Sequence, residues 1–119
     1  MANRISWFEI IGGDATRLHS FYSELFGWKI DANNEMQYGL AAAEDAGIGG
    51  GIGPDAEGGP GYVTFYIDVD DINAYTVKVE QLGGKIIMPP TELSDFNMTF
   101  AQFADPEGHV IGLTQSTRQ

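Results

Sequence analysis

The two halves of this 119-residue chain repeat each other at a fixed spacing. Five pairs of identical residues stand 57 positions apart: Phe8 and Phe65, Ile10 and Ile67, Asp14 and Asp71, Leu25 and Leu82, and Gly27 and Gly84. A constant offset is the signature of a duplicated structural unit. The sequence therefore predicts one domain, residues 1–119, made of module one at about 1–58 and module two at about 59–119.

Module one opens with a β-branched and aromatic run at 5–11, bounded by two glycines, which predicts a strand. Asp14 can serve as the N-cap of a helix that ends at Gly27, because apolar residues recur between them at helical spacing. Strands are predicted at 28–30, 36–42 and 48–52. Module one thus has the order βαβββ.

Module two restarts the same order after a glycine-rich stretch at 47–61, which is typical of a loop or linker. The pattern predicts a strand at 62–69, then a helix capped by Asp70 or Asp71 that stops near Gly83. Three more strands are predicted at 85–88, 98–104 and 110–115. The fold class is therefore α+β, with two βαβββ modules forming a mixed sheet.

The glycine run at 47–53 lacks the Lys-Ser/Thr ending of a nucleotide-binding loop, so that function is excluded. Glycines in a strand also allow another group to approach the backbone closely. The run is therefore interpreted as a narrow strand that admits a ligand or another subunit.

Composition excludes several classes of partner. The chain is 43% hydrophobic, as a globular domain should be, and its formal charge of -11 would repel nucleic acid and anionic membranes. It has no cysteine, which excludes disulfides and thiolate metal sites. With no secretory signal or membrane span in the sequence, the expected location is cytoplasmic.

Several short segments occur in a characteristic order along the chain. Module one has Trp7-Phe8-Glu9-Ile10, Asp14 and Phe21 to Trp28. Module two has Val69 to Ile72, Leu82 to Lys85 and Asp105 to Leu113. In this order they resemble the vicinal oxygen chelate superfamily of glyoxalase I, bleomycin-resistance proteins and extradiol dioxygenases. The resemblance implies paired βαβββ modules whose sheets curl into a cup for a small molecule.

The resemblance also implies four inward positions that hold His, Gln or Glu metal ligands in catalytic members. Here they carry Trp7, Thr64, Gly112 and a glycine within 49–51. Divalent metals in catalytic sites need imidazole or carboxylate ligands, which these residues lack. The expectation is a protein with no metal and no cofactor.

The same resemblance, combined with strand alternation, implies a set of ligand-binding residues that face the cup: Trp7, Glu9, Thr64, Tyr66, Asp68 and Gly112. Trp7 offers an aromatic face for stacking on a planar or apolar ligand. The alternative is that Trp7 and Tyr66 are ordinary packing aromatics, while Glu9 and Asp68 are solvated at a rim.

Glu9 is also a candidate catalytic base, since a carboxylate in a partly dry site can have a raised pKa. The alternative is a hydrogen-bonded or exposed carboxylate without a chemical role. His19 and His109 are both expected at the surface, where they form neither a metal pair nor a triad.

The leading hypothesis is a metal-free small-molecule-binding protein of the glyoxalase/bleomycin-resistance type that sequesters a partly aromatic or apolar ligand. The alternatives are an enzyme, either a lyase or isomerase or a dioxygenase with atypical ligands, and a non-enzymatic interaction domain. Exposed sheet edges favour a homodimer. Whether the cup closes within one chain or across two stays open.

Overall fold

The computed structural model describes residues 2–94 and 97–116. Over these residues the chain forms eight strands and three helices. In chain order they are β1 (Ile5–Gly12), α1 (Ala15–Phe26), β2 (Ile30–Asp31), β3 (Gly39–Ala41), α2 (Ala43–Ala46), β4 (Gly50–Pro54), β5 (Tyr62–Asp68), α3 (Ile72–Gln81), β6 (Lys85–Leu93), β7 (Met98–Ala104) and β8 (Val110–Ser116). The predicted α+β class with two βαβββ modules is confirmed.

The chain divides into two compact units. The N-terminal unit is Ser6–Thr64, and the C-terminal unit contains the described residues of Met1–Ile5 and Phe65–Gln119. The division falls within β5, a few residues beyond the module boundary expected near residue 58. That the two modules act as one domain stays a prediction.

In the N-terminal unit the strand order is β2-β3-β4-β1. β1 and β4 run parallel, with Glu9 opposite Gly51, and β3 is antiparallel to β4. Ile52 at the centre of β4 is fully buried. A sheet of this order places the start of β1 beside the glycine strand, which is where the candidate site lies.

The C-terminal unit repeats this arrangement with the order β5-β8-β7-β6. β5 and β8 run parallel, with Tyr66 opposite Gly112, and β7 is antiparallel to β8. The core of this unit comprises Val69, Ile72, Ala101 and Leu113. The duplication predicted from the 57-residue offset is therefore present in the strand pairing as well as in the sequence.

Both long helices begin at the predicted caps. The Asp14 carboxylate accepts a hydrogen bond from the backbone N–H of Arg17, and the Asp71 carboxylate accepts one from Ala74, at 3.1 Å each. These bonds satisfy amide groups that lack partners within the first helical turn. Gly27 ends α1 with a φ of 75°, a left-handed conformation that glycine adopts without steric cost.

Two predictions for module one need correction, one for a strand and one for the linker. The strand expected at 36–42 is only Gly39–Ala41, because the residues before it turn through Gln37, which has a φ of 54°. The strand predicted at 48–52 is present as β4, whose first four residues are buried, so the linker expected over 47–61 is wrong for that part of the stretch. A glycine strand between two partners is stabilised by its ladder and by packing against its faces, neither of which local propensity reports.

In module two the strand predicted at 85–88 continues to Leu93. Its register against β7 shifts between Met88 and Thr91, where Pro89 and Pro90 lie. Proline has no N–H to donate, and it is tolerated in an edge strand at such an irregularity. Among the described residues, no helix is both long and apolar enough to cross a membrane.

Candidate ligand-binding site

Aromatic rings of the N-terminal unit lie against glycines in β4 and against Gly49, which directly precedes it. A Cβ atom on Gly51 or Gly53 would overlap the Tyr38 ring, and one on Gly49 would stand 3.0 Å from Cζ3 of Trp7. Only residues without a side chain leave room for rings that lie so close to the backbone. The narrow strand inferred from sequence is therefore present, and the chain's own rings approach it.

Trp7 forms part of an open cleft in the N-terminal unit with a volume of about 490 Å³. Volumes of about 300–1,000 Å³ are usual for small-molecule sites. The lining is mostly apolar, with two charged residues: Trp7, Lys29, Ile30, Asp31, Leu40, Ala41, Ala42, Ala43 and Gly49. We call this the Trp7 cleft.

A hydrogen-bond chain connects Trp7 to Glu9. The Trp7 indole N–H donates to the Tyr38 hydroxyl at 3.0 Å, and that hydroxyl donates to Oε2 of Glu9 at 2.7 Å. The Tyr62 hydroxyl donates to Oε1 of the same carboxylate at 2.9 Å. Glu9 is buried. It is therefore a hydrogen-bonded interior group, and the alternative of a solvated rim carboxylate is wrong for this residue.

Tyr38 is held from the backbone side by Asn34. The Tyr38 N–H donates to Oδ1 of Asn34 at 3.0 Å, and Nδ2 of Asn34 donates to the Tyr38 carbonyl at 2.8 Å. Sequence reasoning did not predict the hydrogen bonds that the Tyr38 and Tyr62 hydroxyls make. The alternating glycines at 49, 51 and 53 were the available signal, since they indicate that a large side chain covers that face of the strand.

In the C-terminal unit the structure brings Tyr66 and Gly112 together. Tyr66 is buried, and a Cβ on Gly112 would overlap its ring. Nε2 of Gln102 donates to the Tyr66 hydroxyl at 3.0 Å, and the Phe100 ring meets the Tyr66 ring edge-on at 6.4 Å. Tyr66 is thus a packed and hydrogen-bonded residue of this unit.

The remaining two predicted residues differ in burial. Thr64, in the N-terminal unit, is buried. Asp68, at the end of β5 in the C-terminal unit, is exposed, and its Oδ1 accepts a long hydrogen bond of 3.4 Å from Thr114. Asp68 therefore presents its carboxylate to solvent.

The side chains at the expected metal positions do not fit a divalent metal. Tyr rings occupy the space that a carboxylate at Gly51 or Gly112 would need. Trp7 supplies an N–H donor and Thr64 a hydroxyl, whereas such metals require imidazole or carboxylate ligands. Within 2–94 and 97–116 no group of three or more His, Cys, Asp or Glu residues could hold a metal ion.

The two histidines differ in their surroundings. His19 was expected at the surface, but it is half-buried in contact distance of Gly39, and its Nε2 lies 2.6 Å from the Ile52 carbonyl oxygen. Since a carbonyl only accepts, Nε2 of His19 carries the proton. His109 is exposed as expected, in the turn before β8. The backbone N–H of His109 stabilises the Asp105 carboxylate and lowers its pKa from the ordinary 3.8.

Paired βαβββ modules with a cleft beside the first strand define a class of small α+β proteins. The sequence profile of one family of this class matches residues 4–113, and the chain therefore belongs to the glyoxalase/bleomycin resistance protein/dioxygenase superfamily. This is the family that the sequence motifs resembled.

Two curated relatives extend the comparison. CFP32 of Mycobacterium tuberculosis, described only provisionally as a glyoxylase, is 32% identical over 121 residues, which cover 95% of this chain and 46% of CFP32. The anthracycline biosynthesis protein DnrV of Streptomyces peucetius is 31% identical over 120 residues, covering 87% of this chain and 43% of DnrV. The chain thus spans a little under half the length of these relatives.

Among solved structures, the Mn(II)-bound glyoxalase of Novosphingobium aromaticivorans matches with a TM-score of 0.71 and 22% identity. The match covers 97% of this chain and 38% of that one. At this identity the likeness shows a shared fold.

Proposed function

We propose that this protein is a metal-free small-molecule-binding protein that holds a planar, partly apolar ligand in the Trp7 cleft. The observation that carries the proposal is the indole of Trp7 in a cleft lined by apolar and small side chains. A flat ligand would gain from burial of its apolar surface and from stacking on the ring. Binding the ligand in this way would be enough to sequester it, and it requires no chemical step by the protein.

The side-chain chemistry supports binding without a metal. The tyrosine rings over Gly51 and Gly112 take the space of potential ligands, and Trp7 and Thr64 are poor donors to a divalent ion. Such a site discriminates among ligands by shape, stacking and hydrogen bonding, and it would not polarise a carbonyl or generate a metal-bound hydroxide.

Charge narrows the class of ligand. The formal charge of -11 disfavours anionic ligands. The cleft lining itself carries one basic residue, Lys29, and one acidic residue, Asp31. The name of DnrV places that relative in the biosynthesis of anthracyclines, which are fused-ring aromatic compounds. A neutral or cationic ligand with fused rings therefore suits the Trp7 cleft.

A titration tests the ligand class. The probe is 1,4-dihydroxyanthraquinone, a neutral fused-ring compound, and binding is measured by calorimetry. We expect the wild type to bind and Trp7→Leu to bind at least about 10-fold more weakly, since the stacking surface is removed. Trp28→Phe is the matched control, because Trp28 stacks at 6.0 Å on Tyr22 and is not a cleft residue. Equal affinity in Trp7→Leu and wild type would place the probe elsewhere.

Elemental analysis tests metal independence. Protein purified without chelators is expected to contain less than stoichiometric metal, and titration with Ni, Zn, Mn or Fe(II) is expected to show no tight site. One tightly held ion per chain would overturn this part of the proposal.

Glu9, Thr64, Tyr66, Asp68 and Gly112 each remain a proposed ligand-binding residue within their own unit, although none of them lines the Trp7 cleft, and the protein is proposed to be a cytoplasmic homodimer. Light scattering of the purified protein measures its mass directly; a mass of 12.9 kDa would contradict the dimer.

The enzymatic alternative draws support from the glyoxylase description of CFP32, with Glu9 as the base. It requires turnover of a candidate substrate that falls sharply in Glu9→Gln, and unchanged turnover in that variant would remove Glu9 from any mechanism.

A further inference from the structure

We infer that Tyr38 is a positioning residue, which couples the buried Glu9 carboxylate to Trp7 and fixes the orientation of the indole in the Trp7 cleft. The inference deepens the proposed function and rests on it for its consequence in binding. The hydrogen bonds from which the positioning role is argued do not depend on any ligand.

The direction of each hydrogen bond is fixed by chemistry. An indole has a single N–H donor, a phenol has one O–H donor, and an ionised carboxylate only accepts. Trp7 must therefore donate to Tyr38, at 3.0 Å, and Tyr38 must donate to Glu9, at 2.7 Å. The chain of bonds therefore runs from Trp7 through Tyr38 to Glu9.

This chain of bonds selects one orientation of the indole. Cζ3 and Cε3, which belong to the six-membered ring, lie toward Gly49, while Nε1 of the five-membered ring points to Tyr38. A half-turn of the ring plane would take the N–H away from the Tyr38 hydroxyl. The indole donor would then lose its Tyr38 acceptor in a half-buried place, which is unfavourable.

Tyr38 is itself firmly placed. Its ring lies over Gly51 and Gly53, and Asn34 bonds both its backbone N–H and its carbonyl. A hydroxyl held on a fixed ring can align a neighbour, whereas a mobile one cannot. The contacts of the Tyr38 ring and backbone therefore hold its hydroxyl in a fixed position between Trp7 and Glu9.

Glu9 anchors the other end. Both of its carboxylate oxygens accept tyrosine hydroxyls, from Tyr38 at 2.7 Å and from Tyr62 at 2.9 Å. Of the described residues, those lining the Trp7 cleft do not include Glu9. Its geometry thus fits a role through Tyr38 and Trp7 better than direct contact with a ligand in the cleft.

The tyrosine pair offers a matched experiment. Tyr38→Phe and Tyr62→Phe each remove one hydroxyl from Glu9, but only Tyr38→Phe removes the partner of the indole. Both are made in a Trp28→Phe background, where Trp7 is the single tryptophan of a chain that has two. The readout is the ¹⁵N–¹H resonance of the Trp7 indole and its rate of exchange with solvent, measured without ligand.

We expect Tyr38→Phe to shift the indole resonance and to raise its rate of exchange with solvent by about 10-fold. A 10-fold rise corresponds to a loss of about 1.4 kcal/mol in the free energy that protects the indole N–H from exchange. Tyr62→Phe should leave both close to the parent values. Asn34→Ala, which keeps every hydroxyl, should speed exchange less than Tyr38→Phe, and it serves as the test if Tyr38→Phe does not fold. An unchanged indole in the variant tested, or an equal change in Tyr62→Phe, would overturn the inference.

Affinity supplies the second readout. In titrations with 1,4-dihydroxyanthraquinone, Tyr38→Phe should bind several-fold more weakly than Tyr62→Phe, by the loss of a pre-oriented surface. Equal affinities together with an altered indole would contradict a positioning role. A wild type that does not bind the probe contradicts the proposed ligand class, and the indole measurement still decides whether Tyr38 orients Trp7.

Discussion

At the scale of single residues, each of the two units has an aromatic ring that lies on a glycine. Tyr38 covers Gly51 and Tyr66 covers Gly112, and these two glycines face Glu9 and Tyr66 across parallel strand pairs. Glu9 and Tyr66 are themselves 57 positions apart. Both modules thus place a glycine at the same point of the last strand and a tyrosine ring over it.

A substitution at Gly112 tests this arrangement. In a strand, Gly→Ala usually stabilises by reducing the entropy of the unfolded chain. At Gly112 the added Cβ would overlap the Tyr66 ring, so Gly112→Ala should lower the free energy of unfolding by about 1–3 kcal/mol. Urea denaturation measures the difference.

Gly13→Ala is the matched control for Gly112→Ala. The nearest atom to a Cβ at Gly13 is the Gly59 carbonyl oxygen at 3.9 Å, an ordinary contact. This variant should be as stable as the wild type within about 0.5 kcal/mol. If Gly112→Ala were equally stable, the Tyr66 ring would not occupy the position described.

At the scale of elements, the duplication is visible because helix starts and strand phases are local signals. Asp14 and Asp71 were predicted as caps from their side-chain chemistry, and both accept the expected backbone bond. The shortness of β3 and the burial of β4 were not predictable, because a strand's partners decide them. The contact between Tyr38 and Glu9 spans 29 positions and follows from packing that no local pattern encodes.

The equivalence of the two caps can be measured. Asp14→Ala and Asp71→Ala should each destabilise the protein by about 1 kcal/mol, the usual value of an N-cap. The sequence allowed either Asp70 or Asp71 to cap α3, and the structure assigns Asp71. Asp70→Ala should therefore cost little in thermal unfolding, and a larger loss for Asp70→Ala than for Asp71→Ala would contradict the assignment.

The turn between β7 and β8 should respond to acid. The Asp105 carboxylate accepts backbone bonds from His109 and Glu107, at 2.9 Å each, and its pKa is lowered from 3.8, mainly by the His109 N–H. A lowered pKa in the folded state means that the stabilisation is present above pH 3.8 and is lost as pH falls through the lower value. NMR titration of Asp105 should give a midpoint below 3.8, and a midpoint above it would contradict this role.

At the scale of the whole molecule, an acidic chain with an internal repeat belongs to the glyoxalase/bleomycin resistance protein/dioxygenase superfamily. The fold class was predictable because duplication, caps and alternation all agree. Trp7 lines a cleft, and its part in ligand binding stays a prediction. The hydroxyl network behind it was not foreseen, since the contacts of Tyr38 and Tyr62 with Glu9 span 29 and 53 positions and follow from packing that no local pattern encodes.

The most direct test of a metal-free Trp7 cleft is a crystal structure of protein purified from cells without chelators, with anomalous diffraction recorded at the absorption edges of the first-row metals. We expect planar density against the Trp7 indole and no anomalous peak coordinated by side chains of this chain. A metal ion bound by those side chains, or ligand density away from Trp7, would contradict the proposed function.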